Sequence, residues 1–236
     1  MSVPWVISHR PTKIEEICTY PVLMDNLKLF ENKKSFPNLI LHGYTGTGKT
    51  TIARILSNIT GWDTEEINCN EVRDVKSITK IAKPSNSVFF ATEGLIQLKI
   101  LDEFHLWKEE YQLLLNKVME DYAEKIRYII CVNDFKKVAN PIKSRCRILQ
   151  TDVCVMDNKK DKLEVYPHTE LDLPEWKTIL RNRAIQVADK ECVKGTLKKY
   201  STDTIDALLE KDYYCQDIRK FLTAVEYQLL IDEMKN

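Results

Sequence analysis

The residues best suited to chemistry form one short segment, Gly43 to Thr50, with the letters GYTGTGKT. It fits the pattern G-x-x-x-x-G-K-[ST], in which glycines let successive backbone N–H groups converge on phosphate oxygens. Lys49 would reach the β and γ phosphates of a nucleotide, and the Thr50 hydroxyl would ligate Mg²⁺. Three of the chain's six glycines fall in this segment, so a chance Gly-rich turn with an exposed lysine is the poorer interpretation. The pattern predicts a binding site for ATP and Mg²⁺.

The segment is flanked by a strand and a helix, which is the context that phosphate binding requires. Residues 39–41 form a short apolar run before it, and apolar residues at helical spacing follow from Thr50 until a stop at Gly61. We therefore expect the nucleotide to contact the loop and the first turn of the helix. The predicted contacts are Thr45, Gly46, Thr47, Gly48, Lys49, Thr50 and Thr51.

Two further strand ends carry groups that suit phosphate chemistry. Asp102 and Glu103 follow the apolar run 98–101; the first carboxylate can hold Mg²⁺ through water, and the second can polarise the water that attacks the γ-phosphate. Asn133 closes the next buried run, and its amide can hydrogen-bond the γ-phosphate or the attacking water. Acidic strand ends and turn asparagines are common, so these roles depend on the phosphate loop upstream.

The order of elements predicts an α/β fold. Strand-like and helix-like segments alternate over the first two thirds of the chain, which indicates a parallel sheet with helices on both faces. In such sheets, ligands bind at the carboxyl ends of the strands. A weak strand is expected at 66–68, a helix over 111–122 and the last strand at 147–149.

The final third of the chain has a different pattern. Residues 152–171 are polar and rich in breakers, which indicates a linker or a small hairpin. Helical periodicity follows, with Asp172 as the cap of the first helix, a second helix from Ser201 and a third over 218–229. The predicted domains are an ATPase domain at 1–151, a linker or insert at 152–171 and a small all-helical lid domain at 172–236.

Composition narrows the class of protein. The 35 basic and 35 acidic residues give a net charge of zero, so any attraction to nucleic acid must come from local clusters. No run of eighteen apolar residues suggests a membrane span, and the first ten residues lack a signal pattern. Seven cysteines without C-x-x-C spacing argue against a zinc site or a disulfide framework. We expect a reduced, cytoplasmic protein (host cytoplasm if the source is a virus).

Four motifs together resemble the ATPase subunits of sliding-clamp loaders, of the bacteriophage and replication factor C types. They are residues 43–51, 100–104 (ILDEF), Asn133 and 141–147 (PIKSRCR). The Ser-Arg-Cys triplet is the most discriminating, because AAA+ proteins in general share the others. The resemblance implies an AAA+ P-loop NTPase fold with a helical lid, and it implies that Arg145 is an arginine finger in a neighbouring subunit's ATP site. A solvated basic cluster is the alternative.

Both ends of the chain extend this resemblance. Residues 5–11 (WVISHRP) are similar to the family's opening W-x-x-K-Y-R-P, which implies that Arg10 and Pro11 lie against the adenine; His9 replaces the usual tyrosine. Residues 217–219 resemble the D-x-R of the family's G-D-x-R, with Gln216 in place of the glycine, which implies that Arg219 is a second sensor of the γ-phosphate.

The resemblance also implies contact with DNA phosphates from inner helices, independent of base sequence and weakened by salt. The candidates are Lys76, Lys80 and Lys83, whose spacing predicts one helical face. A row of lysines on a solvated helix face is the alternative.

Our first hypothesis is therefore an ATPase that assembles with other clamp-loader subunits in a ring or spiral. It would open a sliding clamp and place it on primer–template DNA, with hydrolysis triggering release. Another AAA+ nucleic-acid motor or a helicase loader is the second hypothesis, and a scaffold that binds ATP without turnover is the third. The family's C-terminal collar has no counterpart in these 236 residues. Either the collar is dispensed with, or another subunit supplies assembly, or the chain is a truncated or divergent relative.

Overall fold

The computed structural model describes residues 3–72, 74–84, 94–157 and 162–235, so residues 158–161 of the predicted linker lie outside it. The chain forms two compact units. The helical unit comprises Met1–Asp25, Tyr44–Thr51 and Asp152–Asn236, and the sheet unit comprises Asn26–Gly43 and Ile52–Thr151. The helical unit is thus assembled from three stretches of chain, and most of the phosphate loop is one of them.

The sheet unit is built on five parallel strands, as the alternating pattern predicts. In chain order they are β1 (Leu39–His42), β2 (Asp63–Asn68), β3 (Gln97–Asp102), β4 (Ile126–Val132) and β5 (Arg147–Gln150), and their spatial order is β2-β3-β4-β1-β5. The central strands β3, β4 and β1 are almost wholly buried, which is typical of a parallel sheet covered by helices.

Helices accompany these strands along the chain. They are α1 (Trp5–Ser8), α2 (Pro21–Lys33), α3 (Lys49–Thr60), α4 (Val75–Ala82), α5 (Glu109–Asp121) and α6 (Asn140–Lys143). Apolar side chains of α4 and α5, including Ile78, Leu115 and Met119, pack in one core with Ile130 and Val132 of β4.

A buried amide ties together the two loops that follow β3 and β4. Gln112 of α5 donates to the carbonyl oxygens of Trp107 (2.9 Å) and Lys137 (3.0 Å) and accepts from the N–H of Ala139 (2.7 Å). All three bonds satisfy backbone groups that would otherwise be orphaned. The segments after the two strands are therefore held in a fixed relation to each other.

The helical unit contains a hairpin and three longer helices. The hairpin pairs β6 (Cys154–Asp157) with β7 (Lys162–Val165), and the helices are α7 (Leu173–Lys194), α8 (Thr202–Leu209) and α9 (Ile218–Lys235). The predicted cap at Asp172 is confirmed, since Asp172 and Glu175 form a capping box. The second helix begins beside the predicted Ser201, whose hydroxyl accepts from the N–H of Asp203 at 3.1 Å. Within the described ranges, no helix has both the length and the apolar character that crossing a bilayer demands.

Candidate nucleotide-binding site

The phosphate loop follows β1 directly and leads into α3, whose first residue is Lys49. Gly46 and Gly48 have φ angles of +83° and +88°, in the left-handed region where a side chain is strained. The first N–H groups of a helix have no intrahelical partner, so the start of α3 offers donors to an anion. Glycine spacing and helix start thus produce the local structure that the motif predicts.

Lys49 is held inside the curve of its own loop. Its side chain is buried, with 7% of the residue exposed, and its Nζ donates to the Tyr44 carbonyl oxygen at 2.6 Å. The Thr47 hydroxyl donates to the same oxygen at 2.8 Å. Thr45 is exposed, while Thr50 and Thr51 are half-buried. The Lys49 ammonium is therefore already positioned to donate to a phosphate bound in this loop.

A cavity of about 370 Å³ lies within the helical unit, which is the size expected for a small-ligand site. Four parts of the chain line it: the N-terminal segment from Val6 to Cys18, the phosphate loop with the first turn of α3, helix α7 and helix α9. Its apolar lining includes Val6, Ile7, Ile17, Ile218 and Leu222. An apolar wall beside a phosphate loop suits a ligand with a flat base and a charged tail.

Several residues predicted from the sequence meet at this cavity. They are Arg10, Pro11, Gly46, Thr47, Gly48, Thr51 and Arg219, whereas Thr45, Lys49 and Thr50 belong to the loop without lining the cavity. Arg10 Nε donates to the Thr51 hydroxyl at 2.9 Å, so the N-terminal segment is fastened to α3 here. Arg219 is the second residue of α9 and is exposed.

The cavity also contains charged residues that the sequence did not single out as site residues. Arg183 of α7 donates from Nη2 to the His9 carbonyl oxygen at 2.7 Å, and the His9 ring pairs with the Glu191 carboxylate. A signal was present in the sequence: Arg183 falls in phase with the buried face of α7, between Leu180 and Val187. A charge at an apolar position of a helix indicates a partner or a ligand.

Glu191 is the buried counter-ion of this group. Burial acts to raise the pKa of its carboxyl, but hydrogen bonds from Lys194, His9 and Thr196 and the charge of Lys194 outweigh that effect. The pKa of Glu191 therefore lies below its ordinary value, and the carboxylate stays ionised at neutral pH. His9 is held by an anion from one side and by Arg183, through its carbonyl oxygen, from the other.

The sheet unit brings the other predicted groups to one edge. Asp102 is the last residue of β3, and Asn133 follows β4 directly; Leu101 lies opposite Ile130 in these neighbouring strands. Asp102 Oδ1 accepts from the Glu103 N–H at 2.9 Å. Both predicted strand ends therefore lie at the carboxyl edge of the same sheet.

Glu103 has an uncommon backbone conformation. Its φ and ψ are +54° and +32°, a left-handed geometry that costs energy for a residue with a side chain. Strain of this kind persists where the surroundings over-determine it, and it clusters at functional sites. The structure thus adds a backbone observation to the chemical reason for singling out Glu103.

Arg145 lies in the turn after α6 and is partly exposed. Its Nη1 donates to the Pro141 carbonyl oxygen at 3.1 Å, and its Nη2 forms an ion pair with Glu120 of α5. Ion pairs between partly exposed side chains contribute little, at most about 1 kcal/mol. The guanidinium can therefore exchange Glu120 for another anion at small cost.

The predicted row of DNA-contacting lysines is only partly helical. Lys76 and Lys80 are exposed on α4, but this helix ends at Ala82, and Lys83 is extended with ψ of 163°. The expectation of one helical face is wrong for Lys83, because the residue before a proline, here Pro84, is disfavoured from helical geometry.

Comparisons with known proteins agree with this architecture. Residues 39–151 match the family described as ATPase family associated with various cellular activities (AAA). Over 155 residues the chain is 32% identical to a putative replication factor C small subunit of Acanthamoeba polyphaga mimivirus, which covers 63% of this chain and 48% of that protein. A replication factor C small subunit of Methanosphaera stadtmanae is 29% identical over 64% of this chain and 48% of its own length. The chain spans about half the length of these relatives.

Among solved structures, a similar one is RuvB of Thermotoga maritima, a Holliday junction branch migration motor. It matches with a TM-score of 0.55 and 17% identity over 92% of this chain and 71% of that chain. At this identity the likeness concerns the fold alone, an AAA+ P-loop fold with a parallel sheet. Residues 39–151 therefore match the AAA family, and over 155 residues the chain is similar in sequence to replication factor C small subunits.

Proposed function

We propose that the chain is an ATP-hydrolysing subunit of a sliding-clamp loader. The observation that supports this most directly is the cavity of the helical unit, where a phosphate loop, an apolar wall and the predicted Arg10 and Arg219 come together. Homology to replication factor C small subunits supports the same assignment. ATP is the ligand whose triphosphate and base match both parts of that cavity.

The binding and hydrolysis roles follow from the chemistry of each residue. Backbone N–H groups around Gly46 and Gly48, with the Lys49 ammonium, hold the phosphates. Thr50 and Asp102 offer the hard oxygen ligands that Mg²⁺ prefers, and the ion would neutralise phosphate charge there. Glu103 orients and deprotonates the attacking water, and Asn133 hydrogen-bonds the γ-phosphate.

Two arginines complete the proposed site from different directions. Arg219 contacts the γ-phosphate bound by its own subunit. Arg145 gives up its weak ion pair with Glu120 and donates to the γ-phosphate in the next subunit of a ring or spiral. Hydrolysis therefore requires assembly, which couples turnover to the presence of correctly placed partners.

The proposed assembly opens a sliding clamp and places it on primer–template DNA, and hydrolysis then releases the clamp. Lys76 and Lys80, exposed on α4, contact DNA phosphates, so binding should weaken with salt without dependence on base sequence. The other candidate is a different AAA+ motor acting on nucleic acid. The two differ in what they need: a loader responds to clamp and primed DNA together.

The test is the steady-state rate of ATP hydrolysis with Mg²⁺, alone and with candidate partner subunits, a clamp and DNA. Primed DNA with clamp should raise the rate well above either addition alone, and blunt duplex DNA should not. Lys49→Ala serves as the background control. Stimulation by DNA that is indifferent to clamp and primer end would favour the other motor, and stimulation by neither would contradict the loader assignment.

A further inference from the structure

Arg183 is a buried cation on the cavity wall. It lies on α7 with 5% of its surface exposed, flanked along the buried face by Leu180, Ala184 and Val187. Removing a guanidinium from water is unfavourable unless its donors find acceptors. Each N–H donor of the Arg183 guanidinium therefore needs an acceptor.

One part of the guanidinium is satisfied and another is not. Nη2 donates to the His9 carbonyl oxygen at 2.7 Å, but Nη1 has no hydrogen-bond partner among the residues that the structure describes. A buried donor without an acceptor is rare in native proteins and marks a functional group or a missing partner. Nη1 is therefore a candidate donor to a ligand of the cavity.

The nearby carboxylate of Glu16 is already engaged. Its Oε2 accepts from the Thr12 N–H at 2.9 Å and its Oε1 from Lys190 at 3.3 Å. Burial acts to raise the pKa of Glu16, but these bonds and the charges of Lys190 and Arg183 outweigh it, so its pKa lies below the ordinary value. Glu16 thus balances the charge of Arg183 through space, while Nη1 has no acceptor in the described part of the chain.

The neighbours of Arg183 indicate which part of a nucleotide it would meet. They are His9, Glu16 and Cys18, all in the N-terminal segment that supplies much of the apolar wall. Burial raises the pKa of the Cys18 thiol to about 11 against the opposing charge of Arg183. The phosphate loop has donors of its own, whereas an apolar wall suits the flat base of a nucleotide.

We propose that Arg183 recognises the purine base, with Nη1 donating a hydrogen bond to an unprotonated ring nitrogen. Adenine presents such acceptors at N1, N3 and N7, and a guanidinium carries hydrogen-bond donors only. This inference rests on the proposed function, because it takes ATP as the ligand. It adds a base-reading residue that is distinct from the groups that bind phosphate.

The test measures equilibrium binding of ATP and of its 1-deaza, 3-deaza and 7-deaza analogues, each by displacement of a fluorescent ATP with Mg²⁺ present. One analogue should bind the unmodified protein about tenfold more weakly than ATP, since a charge-assisted hydrogen bond to a buried group is lost. In Arg183→Met, ATP binding should fall about tenfold, and the difference between ATP and that analogue should vanish. Equal binding of all four ligands to the unmodified protein overturns the proposal without any variant.

Two controls separate base reading from other roles. Arg181→Met changes an arginine on the same helix that is paired with Asp206 at 2.6 and 3.0 Å and does not line the cavity; it should bind ATP normally. Displacement by inorganic tripolyphosphate should be unchanged in Arg183→Met. An equal loss of tripolyphosphate and ATP binding would mean that Arg183 contacts phosphate, and the base assignment would then be wrong.

The same measurements distinguish failure of this inference from failure of the proposed function. If the unmodified protein does not bind ATP, or if Lys49→Ala binds it normally, the proposed function fails and this inference with it. If Lys49→Ala loses binding while Arg183→Met retains it, only the base assignment is overturned. Circular dichroism of each variant shows whether a loss of binding is a loss of fold.

Discussion

The cavity of the helical unit and the carboxyl edge of the sheet unit hold their functional candidates in opposite ways. In the helical unit, Lys49 of the phosphate loop and Arg183 of the cavity wall are buried, and the carbonyl oxygens of Tyr44 and His9 accept hydrogen bonds from them. At the sheet edge, Asp102 and Glu103 are half-buried and Asn133 is exposed, although the strands that carry them are buried. The helical unit therefore keeps charged side chains away from water, whereas the sheet edge keeps its polar side chains accessible to water.

The two regions also differ in the source of their unfavourable free energy. A buried cation is destabilised until an anion or acceptor arrives, so the cavity is arranged to gain free energy from a ligand. The left-handed backbone at Glu103 costs about 1 to 3 kcal/mol whether or not a ligand is present. We conclude that binding affinity should depend on residues of the phosphate loop and the cavity, and turnover on residues of the sheet unit. Variants in each region test this separation between binding affinity and turnover.

The largest effect is expected for Arg145→Ala in the assembled protein. Loss of a finger that stabilises transition-state charge should lower the hydrolysis rate about a thousandfold or more, with ATP affinity nearly unchanged. Arg147→Ala changes a neighbouring arginine that contacts Asn26, and it should have little effect. A mixture of Arg145→Ala with Glu103→Gln should regain activity, because some interfaces then pair an intact Arg145 with an intact Glu103. No recovery at any mixing ratio would count against action across subunits.

Glu103→Gln tests the strained residue of the sheet edge. The amide cannot accept a proton from water, so turnover should fall about 100-fold to 1000-fold. ATP should bind within about threefold of the normal affinity, because the phosphate loop is untouched. Glu110→Gln, an exposed neighbour at the start of α5, is the matched control. A binding defect comparable to the turnover defect would break the separation between the two regions.

Lys49→Ala tests the helical unit's side of the comparison. Removing charge-assisted hydrogen bonds to two phosphates should weaken ATP binding about 100-fold, as measured by displacement of a fluorescent nucleotide. The exposed Lys199→Ala in the same unit should bind normally. Undiminished affinity in Lys49→Ala would refute the phosphate-loop assignment.

Local signals in the sequence predicted most of the fold. Helix caps such as Asp172 and Ser201 act over three residues or fewer, so they are visible in the sequence itself. The weak second strand was predicted three residues too short at its start. Its polar first half is held by bonds from β3, Gln97 to Asp63 at 2.8 Å and Lys99 to Glu65 at 2.5 Å. Such long-range pairs leave no periodic pattern.

The residues of the candidate site also divide into those with a local sequence signal and those placed by long-range contacts. The spacing of residues within each motif predicts the phosphate loop and the pair Asp102 and Glu103. The catalytic roles of these residues stay predictions. Arg183 could not be placed, because its partner His9 is 174 residues away along the chain. The joining of three separate stretches into the helical unit is likewise a property of packing. Only the charge at an apolar position of α7 indicated that something acts there.

The smallest expected effect is on the free energy of unfolding, and it tests the contact between the phosphate loop and the start of α9. A Cβ on Gly46 would overlap the Asp217 carboxylate, which caps α9 by accepting from the Lys220 N–H at 3.0 Å; at Gly48, no described atom lies within 4 Å of an added Cβ. Both Gly46→Ala and Gly48→Ala strain a left-handed backbone, at about 1 kcal/mol each. Gly46→Ala should lose about 1 kcal/mol more, because it displaces a helix cap. Urea unfolding without nucleotide measures both variants. Equal losses would mean that the carboxylate of Asp217 does not rest on the loop, and the strain at Gly46 would then be conformational only.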